Sequence, residues 1–344
     1  MSKLTQIELT NFTAFESLNE RFSPGVNVMI GVNGTGKTHL LKILYAACAV
    51  TSGEDKETGF AHKLLGVFKP YEGRIARLIR RRQGLTAASV AVRRDDQREI
   101  KVSFGNRSGD VNEVHVEGEL DWQATGWEAA YIPVKEMLAQ APGFLSTVAK
   151  REIAFEEVYP DIIKRAYLPK LRGTPDEGRA RMLTVLQTIM EGKVILKGET
   201  FFLKNSHGEL EFMLLAEGSR KLALLWLLIQ NGTLLSGSVL FWDEPEANLN
   251  PSLIGEVVEI ILGLQRLGVQ VFLTTHNYVL LKEFDLRKNS RDALRYISLF
   301  RDESGAVAAN ASEGYSAIEP NAILGTFSDL YDRQLTRSLG GLKA

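Results

Sequence analysis

The 344-residue chain has a single cysteine, Cys48, so it forms no intramolecular disulfide. Cys48 lies in the apolar-periodic run "HLLKILYAACAV", where a packed thiol is expected, and a reducing cytoplasm fits that usage. Long apolar runs are also missing. The densest, "LALLWLLI" from Leu222, is far short of the roughly 18 residues that suggest a membrane span. No charged-apolar-small pattern opens the chain, which argues against secretion. Net charge is only −1, and no internal repeat, low-complexity tract or long heptad array occurs. What remains is an ordinary globular composition, 44% hydrophobic and 24% charged, with enough apolar residues for a sizeable core.

Periodicity supplies an outline. "LTQIELTNF" alternates and "VNVMIG" follows as a short strand, so the start is predicted to be a β-hairpin of those two segments. Between Lys63 and Glu119, an arginine-rich helical piece precedes short alternating segments broken at Gly105 and Gly109, which read as an inserted antiparallel sheet. Another strand, "WEAAYIPV", is followed by a helical lobe. "KVILKGETFFLKNSHGELEFMLLAEG" reads as two strands around the turn "NSHG", and the remainder alternates strand and helix, which implies a parallel sheet with crossover helices. Residues 1–138, 139–200 and 201–344 are taken as the first half of an α/β core with its β insertion, the helical lobe and the second half of the core.

"GVNGTGKT", Gly31 to Thr38, fits G-x-x-x-x-G-K-[ST] between a strand and a helix. Glycines let backbone N–H groups turn inward around phosphates, and the helix adds its positive end. Asn33, Gly34, Thr35, Gly36 and His39 complete the phosphate-binding set; Lys37 would reach the outer phosphates, and the Thr38 hydroxyl would meet Mg²⁺. In "SVLFWDEPEANLNP", an apolar strand ends in Asp243 and Glu244. Beside a P-loop strand, Asp243 can serve the metal while Glu244 positions or deprotonates a water; without the P-loop, the pair would merely end a strand. "VFLTTH" ends a further strand at His276, and "LLAEGSRKLALL" places Gly218 and Ser219 at a helix start.

The order P-loop, Ala-Glu-Gly helix start, apolar-Asp-Glu-Pro, "EANLNP", strand-His resembles the ABC-type ATPase head shared by transporters, SMC-like DNA repair proteins and OLD-like ATPases, over about residues 1–50 and 205–285. The resemblance implies a P-loop NTPase fold, ATP and Mg²⁺ as ligands, and Gly31–Thr38 as Walker A. It also implies Asp243 and Glu244 as Walker B, Ala247–Asn250 as D-loop and His276 as switch histidine. Leu215–Arg220 takes the place of the signature, but Ala216 stands where that family has serine. Ser219 or Arg220 is left to supply the missing group. No glutamine ends "AAYIPVKEML", so the Q-loop stays unassigned among Lys135, Glu136 and Gln140. The adenine-stacking aromatic is expected in the first hairpin, where Phe12 and Phe15 are either candidates or core residues.

Only about sixty residues fill the gap that SMC-like proteins fill with coiled coil, and fewer than seventy follow His276, so no Toprim nuclease is expected. The wording is most similar to compact bacterial AAA/ABC ATPases near the OLD family. This implies a cytoplasmic ATPase, a homodimer or higher oligomer, that gates an effector encoded nearby, a nuclease or toxin, in anti-phage defence. A nucleotide-dependent scaffold or sensor with slow or no turnover and a DNA repair-type ATPase that binds DNA are the alternatives. Residues 61–107 hold twelve Lys/Arg against four Asp/Glu, centred on "YEGRIARLIRRRQG" with Arg74, Arg77 and Arg81 at helical spacing. Such a patch suits a DNA backbone, an acidic partner or a plain solvated helix face.

Overall fold

The computed structural model describes residues 2–340 apart from 54, 85–86, 109–110, 152 and 154; the break expected at Gly109 and the last four residues of the C-terminal segment lie outside the described residues. Strands β1 (Leu4–Phe12), β2 (Phe15–Arg21), β3 (Val26–Gly31), β4 (Ala87–Arg94), β5 (Glu99–Gly105), β6 (His115–Glu117) and β7 (Ala129–Ile132) come from the first part of the chain. The later ones are β8 (Lys193–Lys197), β9 (Thr200–Asn205), β10 (Gly208–Glu211), β11 (Val239–Asp243), β12 (Gln270–Thr275), β13 (Leu294–Arg301) and β14 (Val307–Ser312). The helices are α1 (Lys37–Ala49), α2 (Asp55–Thr58), α3 (Phe60–Phe68), α4 (Glu119–Gln123), α5 (Phe144–Arg151), α6 (Val158–Ala166), α7 (Glu177–Met190), α8 (Glu217–Gln230), α9 (Ile254–Arg266), α10 (Tyr278–Arg287) and α11 (Ala322–Gly340). None is long and apolar enough to cross a membrane among the described residues.

At the centre lies a six-stranded sheet in the order β14-β13-β3-β12-β11-β7, parallel except for β14. Its inner strands β3, β12, β11 and β7 are short and fully buried, as strands covered on both faces must be. Period-two alternation sorts the side chains. Val26, Val28, Ile30, Trp242 and Leu273 point to the layer of α8, α9 and α10, whereas Met29, Phe241, Phe272 and Leu299 pack with α1 and the second sheet. Burying each of these is worth roughly 2 kcal/mol, enough to fix the register.

The second sheet, β2-β1-β4-β5-β6, is antiparallel and covers α1 from outside. Here the sequence reading needs correction. The hairpin partner of β1 is β2, with Leu9 opposite Leu18, and "VNVMIG" is instead a central strand of the parallel sheet. The inserted strands β4 to β6 do not stand alone but extend that hairpin's sheet. "KVILK" adds a third strand to β9 and β10, one more than expected, so that unit is a small meander. Its turn at Gly198, φ +60, was the signal overlooked.

The expected basic helix is absent. Residues 71–78 form two short 3₁₀ turns separated by the extended Arg74, and the chain then runs extended along β1, the Arg80 N–H donating to the Asn11 carbonyl at 2.7 Å. Ile75 and Leu78 must face the sheet core, and that requirement overrides the helical spacing of the arginines. Arg74 pairs with Glu72 and both Arg80 and Arg82 with Glu16, while the Arg77 guanidinium lies over the Tyr71 ring at 5.3 Å.

The helical residues of 139–200 are tied to α1 by charge. Lys63 on α3 is 1% exposed and meets Asp161 at 2.7 Å, Asp55 at 2.9 Å and Glu157 at 3.1 Å. The Tyr45 hydroxyl of α1 donates to Asp161 at 2.7 Å, and Lys42, also on α1, reaches Glu156 at 2.6 Å. Burial alone would lower the Lys63 pKa, but the Tyr45 phenol and the three carboxylates hold it above the usual lysine range. Lys63→Ala would strand those carboxylates and is expected to cost about 3 kcal/mol or more in urea unfolding. A loss under about 1 kcal/mol would show that water compensates for the lysine.

Candidate functional site

Gly31–Thr38 connects β3 to α1 and curls at Gly34 (φ +78) and Gly36 (φ +90). Only glycine suits Gly36: besides its φ, a side chain there would start 2.6 Å from the Phe15 ring. Phe12 and Phe15 are both fully buried, so neither presents a face to a base; Phe15 instead props the loop from below. Thr35 is buried and its hydroxyl donates to the Val32 carbonyl at 2.9 Å, closing the loop on itself. The Lys37 ammonium bends over the loop to the carbonyls of Gly31 (2.8 Å) and Val32 (3.1 Å). Burial lowers its pKa, with the nearby Glu244 and Asp243 charges opposing.

Asp243 ends β11, but β11 is not next to the P-loop strand as expected; β12 lies between them. That intervening strand completes the site. Asp243 Oδ1 accepts from Thr274 Oγ1 of β12 at 2.5 Å and from Thr38 Oγ1 at 3.2 Å, while Tyr131 of β7 donates to Oδ2 at 3.3 Å. The Thr274 hydroxyl also accepts from the Glu244 N–H at 3.1 Å, fixing Glu244 in a left-handed conformation (φ +48). Glu244 Oε1 then lies 3.6 Å from Nε2 of His276. Burial lowers the His276 pKa, Lys37 adds to the effect and Glu244 opposes it, so the ring is neutral at pH 7.

Adjacent hydroxyl and carboxylate oxygens from Thr38 and Asp243 are hard donors of the kind Mg²⁺ takes. Among the described residues no group of three or more His, Cys, Asp or Glu converges, so a Mg²⁺ there would draw its other ligands from phosphate and water. The residues fit such an ion.

Gly218, Ser219 and Arg220 occupy the first turn of α8, whose N-cap, Ala216, makes no side-chain cap. Arg220 faces inward: its Nε meets the buried Glu136 at 2.6 Å and Nη1 reaches the Phe212 and Leu215 carbonyls. Of the two groups considered for the signature position, Ser219 is thus the one left on the half-buried outer turn. Gly218 is buried against residues 247–250 of this chain, where a side chain would start 2.5 Å from the Asn248 carbonyl. Lys221 adds a second tie, donating to the Ala247 carbonyl at 2.9 Å. Glu136, near the unassigned Q-loop position, therefore anchors the start of α8.

Several site residues escaped the sequence. Thr274 and Tyr131 sit on strands whose neighbours are set by tertiary pairing. Glu246, in "DEPE", is half-buried and accepts from Thr275 Oγ1 at 2.6 Å and the His276 N–H at 3.1 Å, holding the end of β12. Burial raises its pKa. A second acid two residues after Glu244 was the available signal.

A family profile described as "AAA domain, putative AbiEii toxin, Type IV TA system" matches residues 26–282. The chain belongs to this family. Among solved structures, an SmcHead bound to the C-winged helix domain of ScpA aligns with a TM-score of 0.58 at 14% identity, over 90% of this chain and 97% of that one. An Smc head domain with an extended coiled coil, bound to the C-terminal domain of ScpA derived from Pyrococcus furiosus, gives 0.53 at 11% identity over 97% and 100%. Identities this low show the fold alone, that of an ABC-type P-loop head. The DNA replication and repair protein RecF of Limosilactobacillus fermentum is 35% identical over 79 residues, 21% of each chain. RecF of Ligilactobacillus salivarius is 45% identical over 49 residues, 14% of this chain and 13% of that one. The chain therefore spans only 13–21% of the length of these curated relatives.

His39, next to Thr38, is half-buried, its Nδ1 has no hydrogen-bond partner, and its ring meets Phe68 edge-on at 5.4 Å. Burial, then the Lys42 charge, pushes its pKa down to about 4, against an opposing Asp243. The unfolded chain takes up this proton near pH 6.5 and the folded chain only near 4, so stability is present above pH 6.5 and is lost as pH falls across that window. At most about 3 kcal/mol is involved. His39→Phe should retain more of its melting temperature than wild type between pH 6.5 and 4; parallel curves would rule this out.

Proposed function

We propose that the chain binds ATP with Mg²⁺ at Gly31–Thr38 and hydrolyses it, Glu244 serving as the base. The observation that carries this is the convergence at one sheet edge of Lys37, the Thr38–Asp243 contact and the Glu244–His276 pair. Glu244 accepts a proton as the water oxygen bonds to the γ-phosphorus and the bond to the β-phosphate oxygen breaks, releasing ADP and phosphate. His276, neutral and 3.6 Å away, orients Glu244. Lys37 draws the outer phosphates in by charge, and a Mg²⁺ held through Thr38 and Asp243 would supply further neutralisation. Family membership supports an ATPase type of chemistry.

Two copies are proposed to close head to tail, each offering Gly218 and Ser219 to the other's P-loop, because one chain carries one P-loop and one signature-like turn. The uncapped first turn of α8 leaves N–H donors for a partner's phosphate. The nucleotide state would gate a cytoplasmic effector, a nuclease or toxin, in anti-phage defence; the toxin–antitoxin wording of the family description supports that setting. Ala216 favours a second reading, a nucleotide-dependent scaffold with slow turnover. DNA binding through Arg74–Arg82 is less favoured, since Arg74, Arg80 and Arg82 already pair with Glu72 and Glu16.

Calorimetry and turnover assays test the core site. Lys37→Ala should abolish measurable ATP binding, whereas Glu244→Gln should bind ATP yet hydrolyse it at least about 10²-fold more slowly. Wild-type turnover in Glu244→Gln would remove the glutamate from the mechanism.

Light scattering tests the pairing. Glu244→Gln with ATP should show the mass of two chains, and Ser219→Tyr added to it should restore one chain without loss of ATP affinity. Gly218 is unsuited to this test because its replacement would displace the D-loop of its own chain. A chain that stays single at high concentration with ATP, and still hydrolyses it, excludes the shared site.

A further inference from the structure

Strand order gives a bound nucleotide its direction. Asp243 ends β11, Glu244 and His276 directly follow β11 and β12, and all three lie on one side of β3; if the P-loop holds a nucleotide, its γ-phosphate belongs there and the β13 side is left for the nucleoside. There the P-loop meets the β1–β2 tip at Gly36 and the end of β13 at Gly34. Arg301, the last residue of β13, is exposed, yet two main-chain carbonyls fix its guanidinium: Nη1 donates to Gly305 at 2.9 Å and Nη2 to Gly34 at 3.1 Å. Among the described residues other than its chain neighbours, Arg301 Nη2, at 3.9 Å, is the one atom within 4 Å of the point where a Gly34 side chain would start. The space beside Gly34 is thus open, with the Arg301 guanidinium at its border. Phe12 and Phe15 offer no stacking face in its place.

We propose that Arg301 receives the ribose and base of the nucleotide, a role that rests on reading the P-loop as a nucleotide site. A planar cation engages any base through its π-face and lone pairs, so the chain takes purine nucleoside triphosphates with little discrimination between adenine and guanine. Calorimetric titration with Mg²⁺ salts of ATP, GTP and inorganic tripolyphosphate, which has no nucleoside, tests this on wild type, Arg301→Ala and Arg301→Lys. Wild type should bind ATP and GTP within about 5-fold of each other, and tripolyphosphate about 10-fold more weakly. Arg301→Ala should lose about 10-fold on both nucleotides and nothing on tripolyphosphate. Arg301→Lys, which keeps the charge but not the plane, should lose a smaller part of the same difference, and it decides the matter if Arg301→Ala does not fold.

Unchanged ATP affinity in both variants, equal losses on tripolyphosphate, or a wild-type preference for ATP over GTP of about 100-fold would each overturn the role of Arg301 while leaving the nucleotide site intact. Wild type binding neither ATP nor tripolyphosphate would instead overturn the nucleotide reading itself.

Discussion

Burying a carboxylate at the end of a sheet strand is unfavourable unless its oxygens are satisfied, and Asp243, 4% exposed, draws a hydroxyl from each of three separate elements. Tyr131 comes from β7, Thr274 from β12 and Thr38 from the start of α1. Only one arrangement of β7, β11, β12 and α1 lets all three reach it. The requirement that places Asp243 under the P-loop therefore also aligns the strands around it. Thr274 extends the effect by one residue, since the hydroxyl that donates to Asp243 accepts from the Glu244 N–H.

The region between the two halves of the site is tied together by side-chain contacts. Glu136 grips Arg220, Lys221 grips the Ala247 carbonyl, and Gly218 lets α8 approach the D-loop backbone. Glu246 fastens the same stretch to Thr275 and His276. A movement of α8 would thus reach the D-loop and the end of β12 in a single step. Lys42, Tyr45 and Lys63 form a comparable link between the P-loop helix and α6.

What the sequence disclosed was local. The P-loop, the apolar strand ending in two acids, and the strand ending at His276 each show within a dozen residues, because glycine φ requirements and apolar alternation act over that distance. Pairing is decided elsewhere. Nothing between residues 4 and 31 says that β3 will pair with β12 and β13 instead of β1, so local alternation points to the wrong hairpin partner. For the same reason Thr274 and Tyr131 could not be joined to Asp243. Arg74, Arg77 and Arg81 were misplaced on a helix because their spacing was counted without Ile75 and Leu78, whose burial sets the local path.

The placement of β3 has a consequence for how the chain acquires its structure. Its partners are Gln270–Thr275 and Leu294–Arg301, so the strand bearing the P-loop waits for more than two hundred further residues before either of its edges is closed. Contacts so distant in sequence must overcome a large loop-closure entropy and form slowly. During synthesis, a run such as Val26–Gly31, apolar and unpaired on both edges, is exposed to aggregation. Expression yield should accordingly depend on chaperone supply and translation rate more than the stability of the finished fold would suggest.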